Sequence, residues 1–128
     1  MFDKMRILVG SDGSVQSKKA LDEAISIAGR FSGFVKVVTV YDKGGEKKAE
    51  ATITEAKQLL EKGNIKNDTL MALNSNAAKT ILTIAKQENF DLIIIGSRGL
   101  GGRVSMLLGS VSKNIAADAY CNVLVVKK

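Results

Sequence analysis

Short apolar runs alternate with helical patterns along the chain, and this alternation constrains the fold more than any other feature of the sequence. The runs predict five strands, at residues 5–9, 35–40, 68–73, 91–95 and 123–126. Between them, apolar residues recur at three- and four-residue spacing, which indicates amphipathic helices. The 128 residues therefore predict one α/β domain, residues 1–128, with an open parallel sheet, right-handed crossovers and helices on both sheet faces.

The predicted helices have recognisable ends and apolar faces. Ser14 is the predicted N-cap of the first helix, and Gly33 lies just past its end. The second helix carries its apolar residues within 49–60, and the third is predicted over residues 76–88. One face of the last helix is expected to consist of Val104, Leu107, Leu108, Val111 and Ile115. Four helices thus separate the five strands.

One cysteine and no histidine exclude several kinds of chemistry. Cys121 has no second cysteine for an intramolecular disulfide, and a structural zinc site needs about four thiolate or imidazole ligands. Serine or cysteine nucleophiles activated by histidine are excluded as well. No apolar stretch approaches the roughly 18 residues of a membrane span, and no secretory signal is recognisable. We therefore expect a cytoplasmic protein.

A glycine-rich segment after the fourth predicted strand is the strongest functional signal. Glycines stand at positions 96, 99, 101, 102 and 109, and open parallel sheets bind ligands beyond the carboxyl ends of their strands. Residues 92–117 contain Arg98, Arg103 and Lys113 but no acidic residue, in a chain of net charge +6. Because glycine lets main-chain N–H groups approach an anion closely, the segment indicates a phosphate-binding loop. The alternative is that these glycines only turn the chain tightly.

The sequence lacks the motifs of several other classes of α/β protein and of nucleic-acid-binding proteins. Residues 96–103 lack the Lys-[Ser/Thr] pair that completes a P-loop, and the turn after the first strand lacks the G-x-G-x-x-G of dinucleotide-binding folds. The third strand ends in Leu-Asn-Ser at residues 73–75, where a phospho-acceptor receiver domain has an aspartate. Aromatic residues make up only 5% of the chain and no nucleic-acid-binding motif is present, which argues against a nucleic-acid partner.

One spacing does match a known signature. The sequence Gly96-Ser97-Arg98-Gly99, nine residues, then Gly109-Ser110 resembles the ATP-binding motif G-x2-G-x9-G-[ST] of the universal stress protein family. Residues 7–14, 39–42 and 121–126 are also similar to that family. The resemblance implies a Rossmann-like sheet in the order 3-2-1-4-5, related to the adenine-nucleotide alpha hydrolases. Two departures are a short segment after the second strand and Asn122, where many members have proline.

The resemblance also implies a nucleotide site built from three separate segments. The candidates for phosphate and ribose contacts are Gly96, Gly99, Gly109, Ser110 and Ser112. A helical turn that opens at residues 109–112 would offer hydroxyls, free N–H groups and a positive dipole end to phosphate. Asp12, with Gly10 and Ser11, would line the ribose and adenine side, and Val40 would pack on the base. The predicted nucleotide-binding residues are Gly10, Ser11, Asp12, Val40, Ile95, Gly96, Arg98, Gly99, Gly109, Ser110, Val111 and Ser112.

Each of these assignments has a structural alternative. Asp12 can instead cap the first helix, and Ser110 or Ser112 can be a simple N-cap. Arg98 can be solvated rather than bound to phosphate. If Gly109 has a positive φ, a side chain there strains the backbone as well as blocking the ligand.

These features predict an ATP-binding stress-response or regulatory protein, with ATP bound alone or together with Mg²⁺ or Mn²⁺. The alternative is an enzyme of the related superfamily that slowly hydrolyses ATP or transfers a nucleotidyl group, with Asp12 positioning a metal ion or water. Binding is favoured because neither loop contains a second carboxylate or a histidine. Residues 123–126 would be an exposed apolar edge in a monomer, which predicts a homodimer along that strand. A protein partner is expected, but its identity does not follow from the sequence.

Overall fold

The structure is a computed structural model that describes residues 4–97 and 109–127. Strands and helices alternate throughout these residues, as the sequence predicts. The elements are β1 Arg6–Gly10, α1 Val15–Phe31, β2 Phe34–Tyr41, α2 Glu46–Lys62, β3 Lys66–Leu73, α3 Ala77–Gln87, β4 Leu92–Gly96, α4 Ser110–Asp118 and β5 Asn122–Val126. The predicted strand bounds lie within two residues of the observed bounds.

The five strands form one parallel sheet in the order β3-β2-β1-β4-β5, which confirms the predicted order. In the centre of the sheet, β1 pairs with both neighbours, so that Ile7 lies opposite Val35 on β2 and opposite Leu92 on β4. The strand order therefore reverses at β1: β2 and β3 are added on one side of it, and β4 and β5 on the other. At that point the loops after β1 and β4 separate and leave a crevice.

Helices cover both faces of the sheet and bury two apolar layers. On one face, Ala24 and Ala28 of α1 and Leu60 of α2 pack with Val35 and Val37 of β2. The opposite layer includes Ile81 and Ile84 of α3 and Ile115 of α4, packed with Leu8 and Ile93. Ile93 is completely buried, and full burial of one such side chain contributes about 2 kcal/mol. These two layers fix the helix ends that point toward the crevice.

The predicted start of the first helix is confirmed, whereas that of the last helix is wrong. Ser14 is the N-cap of α1, because its side chain accepts a hydrogen bond from the Ser17 N–H, which confirms the prediction. The prediction for the last helix is wrong at Gly109, whose extended conformation (φ −72°, ψ 167°) excludes a helix running through it, so that α4 begins at Ser110. Val104, Leu107 and Leu108 lie outside the described residues. Among the described residues, no helix is long and apolar enough to cross a bilayer.

Candidate functional site

A cleft of about 280 Å³ opens at the carboxyl ends of the central strands. Its walls come from the ends of β1, β2 and β4 and from the first turns of α1, α3 and α4. The lining residues are Gly10, Ser11, Asp12, Ser17, Val38, Val40, Ala77, Ile81, Ile95, Gly96, Gly109, Ser110, Val111 and Ser112. Five separate stretches of the chain, within residues 10–17, 38–40, 77–81, 95–96 and 109–112, therefore meet at one site.

All ten described members of the predicted site line this cleft, and the fold brings them together as expected. They are Gly10, Ser11, Asp12, Val40, Ile95, Gly96, Gly109, Ser110, Val111 and Ser112. Arg98 and Gly99, the other two, lie outside the described residues. That these residues bind a nucleotide stays a prediction, because their arrangement defines a site and not its ligand.

Four lining residues were not predicted: Ser17, Val38, Ala77 and Ile81. Val38 lies two residues before Val40 on the same face of β2, so the alternation of a strand carried a signal for it. Ala77 and Ile81 are four residues apart in the first turns of α3 and share one helix face. No motif marks α3, and only the sheet order brings its first turns to this crevice.

The loop after β1 is held by its own hydrogen bonds. The Ser14 N–H donates to Asp12 Oδ1 at 2.9 Å, and the Ser11 hydroxyl donates to Ser17 Oγ at 3.1 Å. Ser14, rather than Asp12, caps α1, so the helix-capping alternative for Asp12 is wrong. The Asp12 carboxylate is instead oriented by the backbone of the following turn.

Gly10 and Gly96 both lie in close packing around the cleft, but only Gly96 is packed against backbone. A Cβ on Gly10 would lie 2.7 Å from Ile81 Cδ1, the end of a flexible side chain that can shift. A Cβ on Gly96 would lie 2.9 Å from the Gln16 Cβ and 3.0 Å from its carbonyl carbon. For Gly96 this close approach of α1 to β4 is a structural reason that is independent of any ligand.

The start of α4 forms one wall of the cleft. The Gly109 N–H donates to the Ser97 carbonyl at 2.7 Å, so this N–H is used within the protein. The φ of Gly109 is −72°, so the condition of a positive φ is not met, and a side chain there would not strain the backbone. The following N–H groups of Ser110, Val111 and Ser112 belong to the first turn, where helices have no intrahelical acceptor.

The two serines of this turn differ in environment. Ser112 is 3% exposed, and its hydroxyl donates to the Gly96 carbonyl at 2.6 Å. Ser110 is exposed, and no hydrogen bond from its hydroxyl is found within the described residues. The Ser110 hydroxyl is therefore open to the cleft, whereas the Ser112 hydroxyl is used in a hydrogen bond within the protein.

The chain's relatives identify its family. The model of the Universal stress protein family matches residues 4–127. The chain belongs to this family. Universal stress protein YxiE of Bacillus subtilis is 32% identical over 151 aligned positions, which cover 99% of this chain and all (100%) of that protein.

Solved universal stress proteins share the fold. The protein from Archaeoglobus fulgidus in complex with dAMP has a TM-score of 0.80 and 21% identity, and the match covers 98% of this chain and 100% of that one. The Arabidopsis thaliana protein At3g01520 with AMP bound has a TM-score of 0.78 and 15% identity, with 97% and 92% covered. At these identities the two structures confirm the Rossmann-like architecture.

The described lining of the cleft in this universal stress protein carries little side-chain charge. Asp12 is the one ionisable side chain among the described lining residues, and none of them is lysine or arginine. The positive end of the α4 dipole, equivalent to roughly half an elementary charge, faces the same cleft. Within the described part of the chain, no group of three or more His, Cys, Asp or Glu residues is arranged to hold a metal ion.

A second, larger depression of about 500 Å³ lies between α3 and α4. Its rim includes Lys79, Lys86 and Tyr120, and the Lys86 Nζ lies 5.0 Å from the centre of the Tyr120 ring. A hydrogen bond to Tyr120 raises the pKa of Lys86. None of the predicted site residues lines this depression, and we assign the candidate site to the smaller cleft.

Proposed function

We propose that this universal stress protein binds an adenine nucleotide in the cleft beyond β1, β2 and β4, with ATP as the predicted ligand. The observation that carries the proposal is the convergence of three segments, the loop after β1, the end of β2 and the start of α4, on one cleft. These are the segments that the family resemblance associates with ribose, base and phosphate. The Rossmann-like sheet supports the same location, because such sheets bind ligands at this edge.

Each part of the cleft has chemistry that suits one part of the nucleotide. Val38, Val40 and Ile81 provide apolar surface for a purine base. The oriented carboxylate of Asp12 is a hydrogen-bond acceptor for ribose hydroxyls. The first turn of α4 offers N–H groups and the exposed Ser110 hydroxyl to phosphate.

The ligands of two solved relatives support an adenine nucleotide. The Archaeoglobus fulgidus protein is in complex with dAMP, and the Arabidopsis thaliana protein has AMP bound. Adenine and a 5′-phosphate are common to both ligands, whereas the 2′-hydroxyl is not. We therefore expect base and phosphate to contribute more to affinity here than the 2′-hydroxyl does.

A divalent cation, Mg²⁺ or Mn²⁺, fits this site only as a companion of the phosphates. Among the described lining residues Asp12 is the one carboxylate, and its Oδ1 already accepts the Ser14 N–H. Magnesium is commonly held by one or two carboxylates plus substrate phosphates. Asp12 would supply that protein ligand. With a single carboxylate we propose binding rather than rapid turnover, and the proposed role is regulatory, in the stress response.

The predicted homodimer is part of this proposal. β5 is an outermost strand of the sheet, and Val123, Leu124 and Val125 on it are only partly buried. A second copy that pairs along β5 would cover these side chains and the free main-chain groups of the edge. Sedimentation of the samples used for ligand binding would report this association.

Calorimetry on a cleft variant tests the nucleotide site. We expect wild type to bind ATP and AMP, and Gly109→Val to weaken ATP binding by about a hundredfold, through loss of two charged hydrogen bonds. The φ and ψ of Gly109 are allowed for valine, so circular dichroism should report a folded variant.

The matched control is Gly29→Val, because a Cβ on Gly29 would meet nothing within 4 Å and this residue lies near the opposite end of α1. Its ATP affinity should equal that of wild type. Absence of ATP and AMP binding by wild type, or unchanged affinity in a folded Gly109→Val protein, would overturn the assignment. If the assignment holds, mass spectrometry of the nucleotide that copurifies with the protein would identify the cellular ligand. A hydrolysis assay would measure any turnover of ATP.

A further inference from the structure

We propose that Ser112 is a positioning residue, which holds the first turn of α4 against the end of β4 and does not itself bind the ligand. This inference rests on the proposed nucleotide-binding function. It changes the role predicted for Ser112, from a direct contact of phosphate or ribose to a support for the groups that make that contact.

The argument starts from the single proton of a serine hydroxyl. The Ser112 hydroxyl donates this proton to the Gly96 carbonyl at 2.6 Å, within a site where Ser112 is 3% exposed. An ionised phosphate offers only acceptor oxygens, so a serine can bind it only by donating. Donation to phosphate would therefore require Ser112 to abandon Gly96 and leave a buried carbonyl unpaired, which is costly.

Ser110 provides the contrast within the same helical turn. It is the first residue of α4, its side chain is exposed, and it lines the cleft. Its hydroxyl makes no hydrogen bond within the described residues and is able to donate to a ligand. Ser110 is thus the serine that contacts the ligand, and Ser112 supports the helix turn that carries it.

A second hydrogen bond reinforces the same junction. The Gly109 N–H donates to the Ser97 carbonyl at 2.7 Å, and the Ser97 hydroxyl donates to Gln16 Oε1 at 2.8 Å. The start of α4 is therefore joined to two consecutive carbonyls at the end of β4, and that end is joined to α1. These bonds fix where the N–H groups of Ser110 and Val111 lie relative to the cleft.

This geometry predicts which part of a ligand depends on Ser112. The N–H groups at the start of α4 face phosphate, whereas the base is expected on the apolar wall formed by Val38 and Val40. Misplacing the helix turn should weaken binding of AMP and leave adenosine, which has no phosphate, nearly unaffected. A serine that only stabilised the fold would affect both ligands alike.

The test uses Ser112→Thr and Ser112→Val, which have the same shape and differ by the hydroxyl. Calorimetry with AMP and with adenosine should show Ser112→Val binding AMP about tenfold more weakly than Ser112→Thr. Adenosine affinity should differ by less than about twofold between them. In the free protein, the amide resonances of Ser97 and Gly109 should shift in Ser112→Val relative to Ser112→Thr, and thermal melts should report that both are folded.

A crystal structure of the wild-type AMP complex completes the test. The Ser112 hydroxyl should stay within hydrogen-bond distance of the Gly96 carbonyl, with Ser110 on the phosphate. A Ser112 hydroxyl turned onto a phosphate oxygen, equal AMP affinities in the two variants, or equal losses for AMP and adenosine would each overturn the positioning role while the nucleotide site stands. Wild type that binds neither ligand would overturn both proposals.

Discussion

The amino and carboxyl ends of the sheet differ in how their polar and charged groups are paired. At the amino end, charged groups are paired with partners inside the protein: the Lys36 ammonium contacts Glu88 at 3.0 Å and Asp68 at 3.7 Å. The Arg6 guanidinium lies 5.0 Å and 4.7 Å from the ring centres of Phe34 and Phe90. At this end Lys36 therefore has counter-charges within the protein, and the Arg6 guanidinium packs on two aromatic rings.

The carboxyl end has the reverse character. Its described lining contains one carboxylate, on Asp12, and no basic side chain. Glycines at 10 and 96 remove side chains where elements approach closely, and the first turn of α4 presents N–H groups that have no intrahelical acceptor. Helix N–H groups without an intrahelical acceptor at one end, and a lysine paired with two carboxylates at the other, distinguish a binding site from a structural one.

The largest effect we expect comes from filling the space at Gly96. Gly96→Ala places a Cβ about 3 Å from the Gln16 backbone, which cannot rotate away, and should lower the free energy of unfolding by about 3 kcal/mol. Urea denaturation measures this loss. Gly29→Ala, in an exposed helical position with open space, should instead stabilise the protein by about 0.5–1 kcal/mol. If Gly96→Ala were as stable as wild type, close packing would not be the reason for this glycine.

A smaller effect is expected from the ion pair at the amino end. Glu88→Ala leaves Lys36, whose side chain is 10% exposed, with only the longer Asp68 contact, and should cost about 2 kcal/mol of stability. Lys36→Met combined with Glu88→Ala should recover most of that loss, because no buried charge remains. Chemical denaturation and ATP titration of each variant check the pair.

Nucleotide affinity is the second measurement for that pair, and it should not change in any of these variants. An altered ATP affinity in a stably folded Glu88→Ala protein would mean that the two ends of the sheet are energetically linked. The contrast between a structural end and a binding end would then fail.

The smallest effect concerns Cys121, just before β5 at the amino end. Burial raises the pKa of its thiol, and the negative charge of Asp91 raises it further. At pH 8 a raised pKa means less thiolate, so alkylation by iodoacetamide should be about threefold or more slower in the native protein than in urea. Asp91→Asn should increase the native rate slightly. Equal native and unfolded rates would contradict a raised pKa of this thiol in the folded protein.

The sheet was predictable because each strand contains a short apolar run and helical periodicity separates these runs. Helix α4 was mispredicted because Val104, Leu107, Leu108, Val111 and Ile115 keep helical spacing across Gly109. The extended conformation of Gly109 accompanies a hydrogen bond from its N–H to the carbonyl of Ser97, which lies before the last helix at the end of β4. Local periodicity contains no information about such a tertiary contact.

The same limit applies to the candidate site. Motif spacing found the glycine and serine positions, but Ile81 lines the cleft because the sheet order brings the first turns of α3 next to the end of β1. Lys36 interrupts the valines of β2 and is nevertheless buried, since Glu88 and Asp68 provide its counter-charges. Pairings between distant segments, rather than local propensities, decide both cases.

The central position of β1 has a consequence for the order in which the sheet can assemble. β2 and β3 follow β1 closely along the chain, whereas the strand on its other side begins at Leu92. Closing that longer loop costs more chain entropy and makes this pairing the later, slower step. During synthesis, before β4 has left the ribosome, the edge of β1 that later pairs with β4, at Ile7, Leu8 and Val9, is open to other chains. The nascent protein is therefore most exposed to aggregation in the period before β4 emerges.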